Sequence, residues 1–334
     1  MSDQVNDPAP GPADVPAAAP GCGPADASAA APGCGPANGP GGVGEDSPPP
    51  AGWPVVSVVV PAHDEEAVIA DGLARLLDGS APGEFDVVVV ANACSDRTAR
   101  AARRPGVRVL ETPVPGKAHA LRLGDAACRT FPRLYLDADV ELDAASVRAL
   151  VAAAARPGVL ACAPVPDWDL AGTGRVARRV HRVHDRLVAP LRGLAGAGAY
   201  LLTGRGHARV FPMPDVISDD GWVHGSFAPH ERVAVPEART LVRPAPTVAA
   251  HLNRRVRVRL GNRQLAALGR SAAEGRLRLG SLAALVRGRR VSPLDAACYL
   301  AVLLADRVLT RVRARRGGRV QWGTDGGSRS RPAR

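Results

Sequence analysis

Residues 134–140 read Leu-Tyr-Leu-Asp-Ala-Asp-Val, a short apolar run that ends in two carboxylates one residue apart. Side chains at positions i and i+2 of an extended chain project to the same side, so we expect Asp137 and Asp139 to leave a strand together. Paired carboxylates are suitable ligands for a hard divalent cation, Mg²⁺ or Mn²⁺, that holds a diphosphate. An isolated Asp-x-Asp is common by chance, and a solvated loop is the alternative interpretation.

Around this stretch, apolar runs alternate with segments of helical spacing. Strands are predicted at 55–60, 85–90, 107–110, 134–136 and 159–163, and helices at 66–77, 95–103, 117–128 and 144–155. This alternation predicts βαβ units, and therefore an α/β fold with a mostly parallel central sheet flanked by helices. Ligands of such sheets bind at the carboxyl ends of the strands.

The composition of the chain suggests how its 334 residues are divided. Residues 1–52 are rich in Ala, Pro and Gly and carry few large apolar side chains, so we expect a disordered tail. We expect one α/β domain over 53–270, a basic helical extension over 271–316 and a second disordered tail over 317–334. The six cysteines show no CxxC spacing, which favours reduced thiols in a cytoplasmic protein over a zinc site or a disulfide framework.

The net charge of +11 is concentrated late in the chain. Between positions 251 and 290 there are 11 arginines and one acid, Glu274. Such a surface is expected to bind phosphate groups of a nucleotide, an anionic membrane or a nucleic acid. Nucleic acid is not expected, because aromatic residues make up only 3% of the chain. No apolar run is long enough for a transmembrane helix, and residues 296–313 are expected to form an amphipathic helix that packs on the domain or lies on a membrane.

Polar turns follow the first four predicted strands, and no GxGxxG or GxxxxGK[ST] motif occurs. The turns are Pro-Ala-His-Asp-Glu-Glu at 61–66, Asn-Ala-Cys-Ser-Asp-Arg-Thr at 92–98, Gly-Lys-Ala-His-Ala at 116–120 and Asp-Ala-Asp at 137–139. In a parallel sheet all four face one crevice. There Asn92 can hydrogen-bond a base edge, and Lys117 at a helix start can contact a diphosphate.

This ordered series of motifs resembles that of family 2 glycosyltransferases, which are inverting GT-A enzymes that use nucleotide-diphosphate sugars. The resemblance extends over residues 55–268. It implies nucleotide contacts by Pro61, His63 and Glu65. Asn92 stands where many members have an aspartate that faces uracil. Position by position, the resemblance implies a ribose contact for Asp137 and a direct metal bond for Asp139.

Two later segments are also similar to parts of that family. Residues 216–222, Val-Ile-Ser-Asp-Asp-Gly-Trp, stand where members carry an acidic pair whose second residue is the general base. The resemblance therefore implies Asp220 as the base and Asp219 as its orienting neighbour. Residues 251–265 are similar to an arginine-containing region that closes over the diphosphate, with Arg257 and Arg259 as the candidate contacts.

The resulting prediction is a metal-assisted hexosyltransferase that moves a sugar from a nucleotide-diphosphate sugar, with a UDP-sugar favoured, to an acceptor hydroxyl. A lipid-linked acceptor and a peripheral contact of the basic C-terminal helices with the inner face of the membrane are part of this prediction. One alternative is a non-catalytic nucleotide-sugar or polyanion-binding protein with a degenerate GT-A fold. A sugar-nucleotide pyrophosphorylase is less favoured, because it needs a glycine- and arginine-rich turn after the first strand.

Overall fold

The computed structural model describes residues 52–189, 193–270 and 279–315. The two predicted tails lie outside these ranges, apart from Gly52, and so does the start of the predicted extension at 271–278. From residue 52 onward the described chain forms one compact unit, so the C-terminal helices pack on the same body as the sheet.

One eight-stranded sheet runs through the described part of the chain. Its strands are β1 (Val56–Ala62), β2 (Phe85–Asn92), β3 (Val107–Thr112), β4 (Arg133–Leu136), β5 (Val140–Leu142), β6 (Ala161–Trp168), β7 (Ala199–Leu202) and β8 (Arg232–Val242). The helices are α1 (Ile69–Leu77), α2 (Thr98–Ala102), α3 (Lys117–Ala126), α4 (Ala144–Ala154), α5 (Arg175–Val188), α6 (Gly204–Val210), α7 (Asp219–His224), α8 (Val248–Ala267), α9 (Leu279–Arg287) and α10 (Pro293–Arg315).

The strand order is β3-β2-β1-β4-β7-β6-β8-β5. Strands β3, β2, β1 and β4 pair in parallel, as do β6 and β8, whereas β7 and β5 run against their neighbours. The predicted α/β architecture with a mostly parallel sheet is therefore confirmed. The prediction placed its fifth strand in the parallel series, but β6 is separated from β4 by the antiparallel β7.

The two central strands are apolar along their whole length because both faces of the sheet are covered. In β1, Val58 packs into a core with Leu73 of α1 and Leu150 of α4. The next residue, Val59, packs on the opposite face with Leu121 of α3 and Tyr200 of β7. These two cores hold the sheet rigidly beneath the turns at its carboxyl edge.

Helices α1 and α2 begin three residues later than predicted, because the preceding turns bond to each other. The backbone N–H of Glu65 donates to Thr98 Oγ1 at 2.7 Å, and that of Glu66 donates to Asp96 Oδ2 at 3.1 Å. In return, Asp64 Oδ1 accepts the N–H of Ser95 at 2.6 Å. Residues that the periodicity assigns to helix starts thus form a linked pair of turns.

The C-terminal helices form a separate apolar cluster with α5. Val180 and Val183 of α5 pack with Leu282 of α9 and with Tyr299 and Val302 of α10. Within the described residues, none of the helices combines the length and the apolar character required to cross a bilayer. Through the apolar cluster, α9 and α10 pack against α5.

Candidate active site

The carboxyl ends of β1, β2 and β4 meet at one edge of the sheet, where the structure has a cavity of about 170 Å³. Nine of the residues singled out from the sequence line it: Pro61, His63, Glu65, Asn92, Lys117, Asp137, Asp139, Asp220 and Arg257. We call this space the donor cavity. Asp219 and Arg259 are not among its lining residues.

Lys117, the first residue of α3, binds two carboxylates at the floor of this cavity. Its Nζ lies 2.7 Å from Asp137 Oδ1 and 2.8 Å from Asp219 Oδ1. Burial by itself lowers the pKa of a lysine, but the charges of Asp137 and Asp219 outweigh it and raise the pKa of Lys117. The ammonium group is therefore firmly protonated and joins the strand-end motif to the later acidic pair.

The surroundings of Asp139 disfavour the charged form of its carboxyl group. Burial and the negative charge of Asp137 raise the pKa of Asp139, while the positive charges of Arg254 and Lys117 act in the opposite direction. Among the described residues, none forms a salt bridge with it, whereas Asp137 is paired with Lys117. The two oxygen donors lie on the same cavity wall, and a hard divalent cation fits this donor set.

Asp220, in the first turn of α7, also lines the donor cavity. Its Oδ2 accepts the backbone N–H of Gly196 at 2.9 Å, and its Oδ1 accepts Ser218 Oγ at 2.8 Å and the N–H of Gly221 at 2.7 Å. These three hydrogen bonds hold the carboxylate in one orientation. Its neighbour Asp219 is only 5% exposed, and burial raises the pKa of Asp219 against the effect of Lys117.

The glycine-rich segment before β7 brings backbone close to the strand-end carboxylates. Gly198 has a φ of 69°, and a Cβ there would lie 2.5 Å from Val140 Cγ2. Its carbonyl accepts the N–H of Asp137 at 2.8 Å. A side chain at position 198 would therefore push the segment away from the cavity, which explains the need for glycine.

The turns at the ends of β1 and β2 place the buried amide of Asn92 in the donor cavity. Asn92 is 1% exposed, and its Oδ1 has no hydrogen-bond partner in the described part of the chain. The carbonyl of Asn92 accepts a hydrogen bond from Nδ1 of His63 at 2.7 Å. Buried polar atoms are rarely left unpaired, so this amide oxygen is a strong indication of a ligand position.

The arginines of α8 lie on two different faces of the helix. Arg254 and Arg257, three positions apart, line the donor cavity together. Arg255 and Arg259, four positions apart, pair instead with the buried Asp306 of α10, with Arg255 Nε 2.7 Å from Asp306 Oδ2. The structure thus places Arg257 in the donor cavity and Arg259 outside it. The sequence analysis missed Arg254, although helical spacing relative to Arg257 identifies it.

A larger cavity of about 980 Å³ adjoins the first. The two cavities share Gly196, Asp220 and Arg254 in their walls. The apolar lining residues of the larger cavity include Pro164, Val165, Pro166 and Trp168, and its polar lining includes the arginines Arg254, Arg255 and Arg259 and the histidines His181, His184 and His251. We call it the acceptor cavity, by its position next to Asp220.

The fold, with carboxylates along one edge of the sheet, is similar to that of GT-A glycosyltransferases. Residues 57–195 match the model of glycosyl transferase family 2. Uncharacterized glycosyltransferases of Mycobacterium tuberculosis and Mycobacterium bovis are 35% identical to this chain over 97 residues, which is 29% of this chain and 42% of each relative. The chain thus spans less than half the length of these curated relatives.

One solved structure supports the fold, and a second is reported for comparison. A mannosyltransferase from Pyrobaculum calidifontis, in complex with GDP-Man and Mn²⁺, is 21% identical, with 80% of this chain and 82% of that chain covered and a TM-score of 0.51. A glucosyl-3-phosphoglycerate synthase from Mycobacterium tuberculosis is 24% identical over 53% of this chain and 64% of that one, with a TM-score of 0.38. At 21% identity the likeness to the mannosyltransferase concerns the fold alone.

Proposed function

We propose that this protein is an inverting glycosyltransferase that moves a sugar from a nucleotide-diphosphate sugar to an acceptor hydroxyl. The observation that carries the proposal is the gathering of Asn92, Asp139 and Asp220 around one cavity, although they are far apart along the chain. The amide of Asn92 is proposed to hydrogen-bond the base of the donor. The carboxylate of Asp139 is proposed to bind a divalent cation, and that of Asp220 to accept a proton. Glycosyl transfer from an activated donor needs these three groups together.

The donor is proposed to bind with its base against Asn92 and His63 and with its diphosphate toward Arg254 and Arg257. An unpartnered buried amide oxygen supports the first contact. The second is supported by two cavity-lining arginines that form no salt bridge within the described part of the chain. Charge-assisted hydrogen bonds to phosphate are among the strongest available to a protein. The motifs favour a UDP-sugar.

A Mn²⁺ or Mg²⁺ ion is proposed to bind Asp139, with Asp137 beside it, and would neutralise charge on the diphosphate leaving group. The chain's own cations act on the same charge. Arg254 and Arg257 are positioned to stabilise the diphosphate as it departs, and they are already oriented by α8 before the reaction begins. Lys117 forms a salt bridge with Asp137 in the same cavity.

Asp220 is proposed to be the general base. The acceptor hydroxyl would enter from the acceptor cavity, lose its proton to Asp220 and displace the nucleoside diphosphate from the anomeric carbon. One C–O bond forms as another breaks on the opposite side, so the configuration inverts. Hydrogen bonds from Gly196, Ser218 and Gly221 hold the carboxylate in place and reduce the reorganisation that proton transfer requires.

The acceptor is proposed to be a larger molecule than a simple sugar, because the acceptor cavity exceeds the donor cavity several-fold in volume. Its Pro and Trp side chains suit an apolar body, and its arginines suit an anionic group. A lipid-linked acceptor combines both properties.

The test is a donor screen with the full chain, using UDP-, GDP- and dTDP-sugars with and without Mn²⁺ and recording binding by calorimetry and nucleoside diphosphate release. We expect Mn²⁺-dependent binding of one donor class and slow release of its nucleoside diphosphate. Failure of every nucleoside diphosphate to bind in the presence of Mn²⁺, together with salt-sensitive retention on a polyanion, would favour the polyanion-binding alternative.

A further inference from the structure

The outward side of α10 is apolar over about half of the helix circumference. At about 100° per residue, one arc contains Leu294, Ala297, Leu300, Ala301, Leu304, Ala305, Val308 and Leu309, all of them exposed. Leu294 is 57% exposed, Leu304 62% and Val308 51%. Between Leu294 and Leu309 no charged side chain falls within this arc, which we call the outer face of α10. Soluble proteins rarely leave a continuous apolar surface of this kind uncovered.

The opposite side of α10 fixes the orientation of this face. Tyr299 and Val302 are buried against α5 and α9. Asp306, 1% exposed, binds Arg255 and Arg259 of α8. Rotation of α10 that buried the leucines would carry this carboxylate away from its arginines. The outer face is therefore held outward by the packing of the helix.

Basic side chains stand at both ends of the outer face. Arg287, Arg289 and Arg290 are exposed just before α10, and Arg307 is exposed near the other end. Within the described ranges these four arginines have no salt-bridge partner. The sequence continues with Arg311, Arg313, Arg315 and Arg316, and no acidic residue follows until Asp325.

The basic residues at both ends favour an anionic lipid surface over a second copy of α10 as the partner of the outer face. In a dimer of two α10 helices, parallel or antiparallel, a basic end would meet another basic end, and like charges repel. An anionic lipid surface instead offers apolar chains to the leucines and phosphates to the arginines. Helices with an apolar face and arginine-rich flanks lie in the headgroup region of membranes.

We propose that the outer face of α10 docks on an anionic lipid bilayer, with the helix parallel to the membrane plane. Leu300 and Leu304 enter the boundary between headgroups and acyl chains, and the flanking arginines bind lipid phosphates. The buried Asp306 connects this face to the acceptor cavity, since Arg255 and Arg259 line that cavity. The proposal does not depend on glycosyl transfer, because it concerns binding alone.

The experiment is co-sedimentation of the full-length protein with vesicles of phosphatidylcholine alone or of phosphatidylcholine with phosphatidylglycerol. We expect binding to the anionic vesicles to be about tenfold tighter or more, and to weaken with salt. The double variant Leu300→Gln/Leu304→Gln is expected to lose at least about tenfold in affinity. Its matched control is Val114→Gln, which changes a 50% exposed valine away from α10 and should bind as the parent does.

A second pair of variants separates local charge from net charge. Arg287→Gln/Arg289→Gln removes two arginines beside the outer face, and Arg100→Gln/Arg156→Gln removes two exposed arginines elsewhere, with the same change in net charge. We expect only the first pair to weaken vesicle binding, with unchanged melting curves for both. Equal binding to neutral and anionic vesicles, or equal effects of the two pairs, would overturn the proposal. So would sedimentation velocity showing a dimer that Leu300→Gln/Leu304→Gln converts to monomer.

Discussion

Lys117 Nζ lies 2.8 Å from Oδ1 of Asp219, a carboxylate that is only 5% exposed. The two residues come from separate motifs, and the ion pair ties the start of α3 to the start of α7. It also accounts for the placement of Asp220, because the next residue along α7 is thereby held at the cavity wall. Lys117 is thus a structural link within the site as well as a cation that lines the donor cavity.

Replacement of Lys117 by Met should destabilise the fold. Removal of one partner leaves the buried Asp219 without its counter-charge, and such losses cost about 3–5 kcal/mol. Urea unfolding monitored by circular dichroism measures the change. The double variant Lys117→Met/Asp219→Asn removes both charges and should recover part of the loss. A single variant as stable as the parent would show that the pair contributes nothing.

Asp220→Asn should retain donor binding and lose turnover. An amide cannot accept the acceptor's proton, and general-base catalysis contributes about 10²–10⁴-fold in rate. Calorimetry with the donor and a nucleoside diphosphate release assay measure the two properties separately. Ser218→Ala removes one hydrogen bond to Asp220 Oδ1 and should cause a smaller loss. Unchanged turnover in Asp220→Asn excludes the proposed role.

Asp139→Ala should abolish the Mn²⁺ dependence of donor binding. The substitution removes the carboxylate that has no salt-bridge partner among the described residues, while Asp137 remains paired with Lys117. Calorimetric titrations of nucleoside diphosphate with and without Mn²⁺ test this. Asp215→Ala, which removes an acid that is 84% exposed and paired with Arg122, is the matched control and should bind as the parent does.

Replacement of the α8 arginines by Gln should affect nucleoside diphosphate affinity differently on the two faces of the helix. Arg254→Gln and Arg257→Gln are expected to weaken nucleoside diphosphate binding about tenfold, since each removes a charge-assisted contact. Arg259→Gln should leave that affinity unchanged, because its side chain pairs with Asp306 outside the donor cavity. Equal effects of all three substitutions would mean that general charge, and not position, determines the affinity.

Lowering the pH should reduce the free energy of unfolding, because the pKa of His251 is lower in the folded chain than in the unfolded one. Burial, with neighbouring His181 and arginine charges, lowers the pKa of His251 to about 3, against about 6.5 in the unfolded chain. Below pH 6.5 the unfolded state therefore binds a proton that the folded state does not, so stability falls as the pH decreases toward 3. Between pH 7 and pH 5 this amounts to about 2 kcal/mol.

The variant His251→Phe isolates this contribution. Its free energy of unfolding should depend less steeply on pH than that of the parent over the same range, whereas His230→Phe changes an exposed histidine and should leave the slope as it is. Identical slopes in all three proteins would show that His251 does not titrate differently on folding.

The strands that the sequence predicted correctly are those with a continuous local signal. Strands β1 and β2 are runs of valine bounded by polar turns, and both faces of each are buried. The short β5 and β7, with three and four residues, lack such a signal, and β8 carries Pro236 and alternates irregularly. These strands form because the existing sheet offers them hydrogen-bond partners.

By itself, the sequence determined the parallel half of the sheet and the order of the polar turns at its carboxyl edge. Apolar periodicity and turn residues are local properties, and parallel pairing brings consecutive strand ends to one side. Only the tertiary structure decided that Lys117 joins Asp137 to Asp219, that Arg254 faces the donor cavity, and that Arg259 faces Asp306. Such contacts depend on how the helices pack against one another. The sequence shows that a residue is charged, but it does not show which residue of opposite charge lies next to it in the fold.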